Sequence, residues 1–397
     1  MSQTFDAGHH YTELDSLRGL AALTVLFTHY SNLFLVQAGP FLAAGKAIRL
    51  LGFTPLAILF AGHEAVMLFF VHSGFVLSLQ FLKGKPIRYG SFAIRRIFRI
   101  YVPYVAALIP ALVCCAVLYR GHIDELSSWF NTPWSEGVTL RAVLDHVLFI
   151  GNYKTDSFNP ALWSLVHELR ISFLFPFLVA FLMTRGWRHN LMLAASLSFL
   201  GITATIVLLR LGIHIDYFLT VHYIAMFIIG FVLAQNINSI YKWYRKLGGT
   251  ARVAFAGAGL FIYTFSHLLP GRLQYLEDIP IGVGATLMVI TAVCSLRASK
   301  LLNWPALRFL GNISYSLYLY HAIILFAFTH ALYGRIPVAM ILLTATASTI
   351  LVSWLSYRYV ELPAIRCGKS FSARWERRKT QADIFGLGAG NANLEHG

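Results

Sequence analysis

Two ionisable side chains interrupt an apolar run near the N-terminus, in Asp15-Ser16-Leu17-Arg18 and, eleven positions later, Thr28-His29. In a helix, eleven steps return to within about 20° of the same face and rise about 16 Å. Arg18 and His29 therefore share one stripe, with Arg18 at a membrane boundary and His29 near mid-depth. That arrangement suits a long substrate whose anionic end is held at the surface while its reacting end meets an imidazole. A snorkelling arginine and a hydrogen-bonded core histidine would account for the same residues.

Other polar residues fall where hydrocarbon would penalise them, and each is a functional candidate on that ground. Glu168 follows Trp163-Ser164-Leu165 and enters from the opposite side by about 10 Å, so it can reach the depth of His29 and fix its tautomer. Arg96 and Arg99, three apart ahead of Pro103, present two planar forks on one helical edge, a pattern suited to phosphate but also to simple topogenic charge. Ser73-Gly74 offers close helix packing or an open cavity. Tyr315 and Tyr318, also three apart, can face a cleft, with His321 beyond them as a positioning group or a satisfied bundle histidine.

The elements that position these residues follow from composition. Of 397 residues, 57% are hydrophobic and 12% charged, and the mean hydropathy is +0.64. A soluble chain would carry about twice that charge. The apolar residues form blocks able to cross a hydrocarbon layer of about 30 Å, and unpaired backbone inside it requires helices. No period-two alternation supports a β-barrel. The blocks predict an all-α polytopic bundle of about ten spans, over 17–37, 56–82, 101–119, 161–183, 191–211, 218–238, 253–269, 279–296, 313–333 and 337–357.

The net charge of +15 does not point to nucleic acid, because its distribution is topogenic. Twenty-two basic residues, among them Lys83, Lys85, Arg88 and Arg188, fall in one set of loops and the tail, against seven, among them Arg272, in the opposite loops. The positive-inside rule then places both termini in the cytoplasm. Residues 1–363 form one membrane domain. Residues 364–397 are a basic, then Gly- and Ala-rich tail expected to be disordered. The outer stretch 120–159 reads as a loop resting on the bundle. His63-Glu64 and His167-Glu168 lack the second histidine of a zinc helix, since Met67 and Ile171 stand there, and no metal site is supported.

Taken in order, these segments resemble the acyltransferase-3 family of membrane acyltransferases. The resemblance rests on Leu14-Asp15-Ser16-Leu17-Arg18-Gly19 with His29, on Phe69-Phe70-Val71-His72-Ser73-Gly74-Phe75, and on Arg96-Ile97-Phe98-Arg99-Ile100 before Pro103. It continues through Trp163-Ser164-Leu165 with Glu168, Ser314-Tyr315-Ser316-Leu317-Tyr318-Leu319-Tyr320-His321, and Glu361-Leu362-Pro363. It implies transfer of an acyl group, most often acetyl, from cytoplasmic acyl-CoA to a hydroxyl of a saccharide or glycoconjugate, at a bacterial inner membrane. On that reading His29, Glu168 and Arg18 are the catalytic candidates, and Arg96, Arg99 and Arg18 hold the phosphates of CoA. Ser73, Trp163, Tyr315 and His321 bind or position substrate. The chain looks like the stand-alone form, without the esterase-like domain of some members. A secondary transporter or lipid-linked-sugar carrier would also place ionisable groups at mid-depth, and a sensor or assembly subunit would use them for packing alone.

Overall fold

The computed structural model describes residues 11–84, 88–149, 151–266 and 276–392, with side chains to 378. Every regular element among them is helical. Ten main helices stand where the apolar blocks lie: α1 Thr12–Asn32, α2 Gly62–Leu82, α3 Tyr89–Leu118, α4 Leu162–Leu182 and α5 Trp187–Arg210. They continue as α6 Tyr217–Lys246, α7 Gly249–Phe265, α8 Asp278–Cys294, α9 Pro305–Leu332 and α10 Val338–Ser356. Residues 267–269 of the seventh expected span, and Lys85 and Arg272 among the counted charges, lie outside the described residues.

Seven described helices are long and apolar enough to cross a membrane, or eight if α8 and Leu296–Leu302, bent by 91°, count as one broken span. By this measure α1, with four ionisable residues, and the 17-residue α7 fall short. α9 is the enclosed centre, with 78% of its apolar window buried, whereas α5 has 28%. α5 turns Met192, Phe199, Leu200 and Val207 outward, an apolar face that water would not tolerate but lipid does.

Two backbone contacts set the arrangement. Gly19 of α1 meets Gly311 of α9 so closely that a Cβ on Gly19 would stand 2.5 Å from the Gly311 nitrogen. Gly74 of α2 meets α6 in the same way, where a Cβ would stand 2.3 Å from the Phe227 carbonyl oxygen. Small residues permit such approach between membrane helices.

α3 and α10 share a second device. α3 contains a π-turn, Ile97–Tyr101, and α10 runs directly into another, Tyr357–Glu361, closed by Val102 N–H donating to the Ile97 carbonyl and Leu362 N–H to that of Tyr357. Pro103 and Pro363 follow directly. A proline ring clashes with the carbonyl four residues back, and in both helices that residue lies inside the wider turn. Beyond its π-turn, α10 continues as the helix Leu362–Ala392. Up to Ala392 the tail is therefore helical where its composition suggested disorder, and it packs on the start of α3: Phe371 stacks on Phe98 at 5.5 Å and Arg95 donates to Ser372 Oγ at 2.7 Å.

The stretch 120–159 does rest on the bundle. Trp134 and Phe130 are fully buried against Phe326 of α9, and Trp134 Nε1 donates to the Phe158 carbonyl at 3.0 Å.

Candidate active site

A cavity of about 430 Å³ opens between α1, α2, α3, α4 and α9, within the usual range for small-molecule sites. Arg18, Lys83, Arg96 and Arg99 line it, with Asp15 and Glu168 as the carboxylates. These charges are not equivalent. Arg96 is buried and fully engaged: Nη2 reaches Glu168 Oε1 at 3.0 Å, and Nε and Nη2 donate to Ser172 Oγ at 3.2 and 3.0 Å. Glu168 Oε1 also accepts from Ser73 Oγ at 3.2 Å. Arg18 lies 3.8 Å from Asp15 and within electrostatic reach of Arg99, Glu168 and Glu361. Among the described residues the Arg99 guanidinium makes no hydrogen bond or ion pair, so it and the exposed Lys83 are the cations left for a ligand.

The expected pairing of Glu168 with His29 is not what the helices produce. α1 begins and ends five residues earlier than its apolar block suggested, so His29 sits in its last turn, about 5 Å from the helix end. Glu168 lies about 9 Å inside α4 and faces α2 and α3 instead. The partner of His29 is His321, with Nδ1 of His29 and Nε2 of His321 2.8 Å apart. The tautomers follow from the chain of bonds. His321 Nδ1 faces the Leu317 carbonyl at 3.1 Å, and a carbonyl only accepts, so that nitrogen carries the proton. His321 Nε2 is then an acceptor, and His29 must donate from Nδ1. His29 Nε2 is left with its lone pair, the state a general base needs.

Tyr318 divides this pair from the cavity. It lines the cavity wall and its ring stands 5.9 Å from that of His321. Its hydroxyl donates to the Ala161 carbonyl at 2.9 Å and meets Ser164 Oγ at 2.7 Å. Phe69 packs edge-on against it. Tyr315 also lines the cavity, but its hydroxyl is committed to the Ile100 carbonyl in the π-turn of α3 at 2.7 Å, while its neighbour Ser316 donates to Glu361 in the π-turn of α10 at 3.1 Å. The two π-turns thus grip the polar segment of α9 from both sides. Trp163 is not a cavity residue; it lies against His63, His167 and Tyr223.

Three site features were missed in the sequence. His72 lines the cavity, and its Nε2 is buried with no hydrogen-bond partner among the described residues; its place in the apolar motif beside Ser73 was a usable signal. Lys83 was counted only as loop charge. Trp129, whose ring lies 4.8 Å from that of His29, comes from the outer stretch 120–159, and no local pattern marks it.

The model of the acyltransferase domain family matches residues 11–358. A protein of Staphylococcus aureus (strain COL), named provisionally as an O-acetyltransferase, is 25% identical over 383 residues, covering 88% of this chain and 56% of its own length. The O-acetyltransferase OatA of Staphylococcus aureus (strain MRSA252) is 25% identical over 348 residues, covering 81% of this chain and 55% of its own. The chain thus spans little more than half the length of these relatives. No solved structure matches it. A family match that runs from residue 11 to residue 358, nearly the whole helical bundle, makes this chain a member of the acyltransferase-3 family of membrane acyltransferases.

Proposed function

We propose that the protein transfers an acetyl group from acetyl-CoA to a hydroxyl of a saccharide or glycoconjugate at the cell surface, from a bacterial inner membrane with both its termini in the cytoplasm. The observation that carries this reading is one cavity that is cationic at its mouth and stops one side chain short of a tautomer-fixed histidine pair. Ten crossings, α1 and α7 included, keep the basic loops on one side.

In this mechanism the phosphates of CoA meet Arg99 and Lys83, with Arg18 further in. Arg96 serves differently from the expectation of a phosphate ligand: tied to Glu168 and Ser172, it fixes the wall. The pantetheine amides pass His72, whose Nε2 is unpaired there. The thioester reaches the end marked by Ser164 and Tyr318, and a small rotation of Tyr318 brings it to His29. His29 Nε2 takes the proton of the acceptor hydroxyl as its oxygen attacks the acyl carbon. The thiolate of CoA leaves and takes up that proton from His29, which returns to its neutral form. His321 holds the ring in the required tautomer, a role expected at first of Glu168.

The test is direct. The purified full-length chain in lipid vesicles, given radiolabelled acetyl-CoA and surface glycan from a strain lacking the gene, should release free thiol and label the glycan with base-labile ester. His29→Ala should slow both by about 10²–10⁴-fold while still binding acetyl-CoA. Wild-type turnover in that variant would sink the mechanism, and ion-coupled solute flux without thioester consumption would favour a transporter.

A further inference from the structure

A second polar constellation lies on the other side of Trp163. Asp278, at the start of α8, is 1% exposed and holds two imidazoles, one on each carboxylate oxygen. Its Oδ2 meets Nε2 of the fully buried His222 at 2.8 Å, and its Oδ1 meets Nε2 of His63 at 2.5 Å. His222 Nδ1 in turn meets Ser198 Oγ at 2.9 Å. A carboxylate accepts, so Nε2 of each ring carries the proton, and His222 Nδ1 accepts from the serine hydroxyl. The chain of bonds is complete at its buried end and open at the other. In its neutral form His63 presents Nδ1 as an acceptor, on a side chain 43% exposed. Packing does not need this: apolar residues would stabilise the bundle at least as well as a buried ionic chain.

Its position relates it to the cavity. Trp163 and Ser164 are neighbours on α4, turned about 100° from one another. Ser164 lines the cationic cavity and holds Tyr318, whereas the Trp163 ring lies nearly parallel to that of His63, at 16° and 6.1 Å. Gly62, next to His63, packs on Thr28, the residue before His29. His63 therefore opens at the level of the base on the face turned away from the CoA phosphates. An aromatic plane beside an acceptor nitrogen matches a sugar: its C–H face rests on the ring and a hydroxyl donates to the nitrogen.

We infer that His63, oriented by Asp278 and flanked by Trp163, forms a hydroxyl-binding subsite for a saccharide acceptor, separate from the donor cavity. This deepens the acyl-transfer reading and rests on it for the acceptor's role. His63 is an acceptor-binding residue here, with Asp278 positioning it, and its effect belongs to the acceptor alone.

The test uses the full-length protein and one probe, the surface glycan of a strain lacking the gene, stripped of esters by mild base. Binding is measured by titration calorimetry and transfer by kinetics with acetyl-CoA. In His63→Phe the Kd for glycan should rise at least tenfold and kcat/KM for glycan should fall to match, with KM for acetyl-CoA within twofold of wild type. His63→Gln restores a donor for Asp278 and an acceptor at similar reach, and should regain part of the loss. Unchanged glycan binding in His63→Phe would overturn the subsite, as would a wild type that does not bind the glycan, or a parallel shift in KM for acetyl-CoA. A wild type that binds glycan but transfers no acetyl group would fail the acyl-transfer reading, while the calorimetry still decides the subsite.

Discussion

Gly19→Ala tests whether backbone contact between α1 and α9 sets the chemistry. The added Cβ would lie 2.5 Å from the Gly311 nitrogen and the Leu310 carbonyl carbon, where ordinary contact begins at 3.4 Å. Neither neighbour is a flexible side chain, so the helices themselves must part by about 1 Å. Overpacking of this kind costs about 1–3 kcal/mol. The same helix pair carries His29 and His321, whose bond is 2.8 Å. Adding that separation takes it to about 3.8 Å, outside hydrogen-bonding range, and frees the His29 ring to change tautomer. Misplacement by about 1 Å can cost on the order of 10²-fold in rate. Acetyl-CoA thiol release and thermal unfolding of the detergent-solubilised protein would be measured side by side. The control is Gly257→Ala on α7, where an added Cβ meets nothing within 4 Å and the helix gains about 0.5–1 kcal/mol. Wild-type turnover in folded Gly19→Ala would refute the reasoning.

His29→Ala should lower kcat by about 10²–10⁴-fold with donor KM unchanged, the cost of losing a general base, read as thiol release at saturating acetyl-CoA. Glu168→Ala strands the buried Arg96 charge and should destabilise by about 3–5 kcal/mol, seen as a lower melting temperature; Glu168→Gln keeps acceptors for Arg96 and Ser73 and should lose less. Arg99→Ala should raise the KM for acetyl-CoA by about 10–100-fold, one charge-assisted contact of about 1.5–3 kcal/mol, at unchanged melting temperature, whereas Arg96→Ala should lower that temperature. In the outer stretch, burial pushes the His146 imidazole below its ordinary value, so below about pH 6.5 the unfolded chain takes up a proton that the folded one resists. Its contribution to stability is complete above that pH and declines below it by up to about 1.4 kcal/mol per unit; melting temperatures at pH 7.5 and 5.5 should therefore diverge more in wild type than in His146→Gln.

Helix identity was legible in the sequence because most of the apolar blocks reach the length a membrane requires, whatever they pack against, those of α7 and α8 being the shortest. Helix ends were less so. The apolar block of α1 begins at Leu17, yet the helix starts at Thr12, since Glu13 and Asp15 suit a helix N-terminus electrostatically. That five-residue offset misled the depth match between His29 and Glu168. The stripe of Arg18 and His29 survived it, because a period does not depend on where the helix begins. Ser73-Gly74 carried two meanings and the structure uses both, a hydroxyl for Glu168 and a bare backbone for α6. Arg96 and Arg99 looked alike as a pair; only the position of Glu168 and Ser172 on α4 separates a wall residue from a cavity cation. The His63, Asp278 and His222 contacts join three helices distant in sequence, and no local spacing announces them.

Tyr318 has a consequence beyond catalysis. On the proposed topology, with the cationic cavity open to one face and His29 near the other, Tyr318 is the side chain that stands between them. The two bonds of its hydroxyl, to Ser164 and to Ala161, hold that phenol across the passage and make it the insulator. On the proposed mechanism, each turnover carries the acyl group past this point without carrying protons or ions down the membrane potential. The size of the transferable group is then limited by how far the insulator can swing while still sealing, a limit that favours the smallest acyl groups.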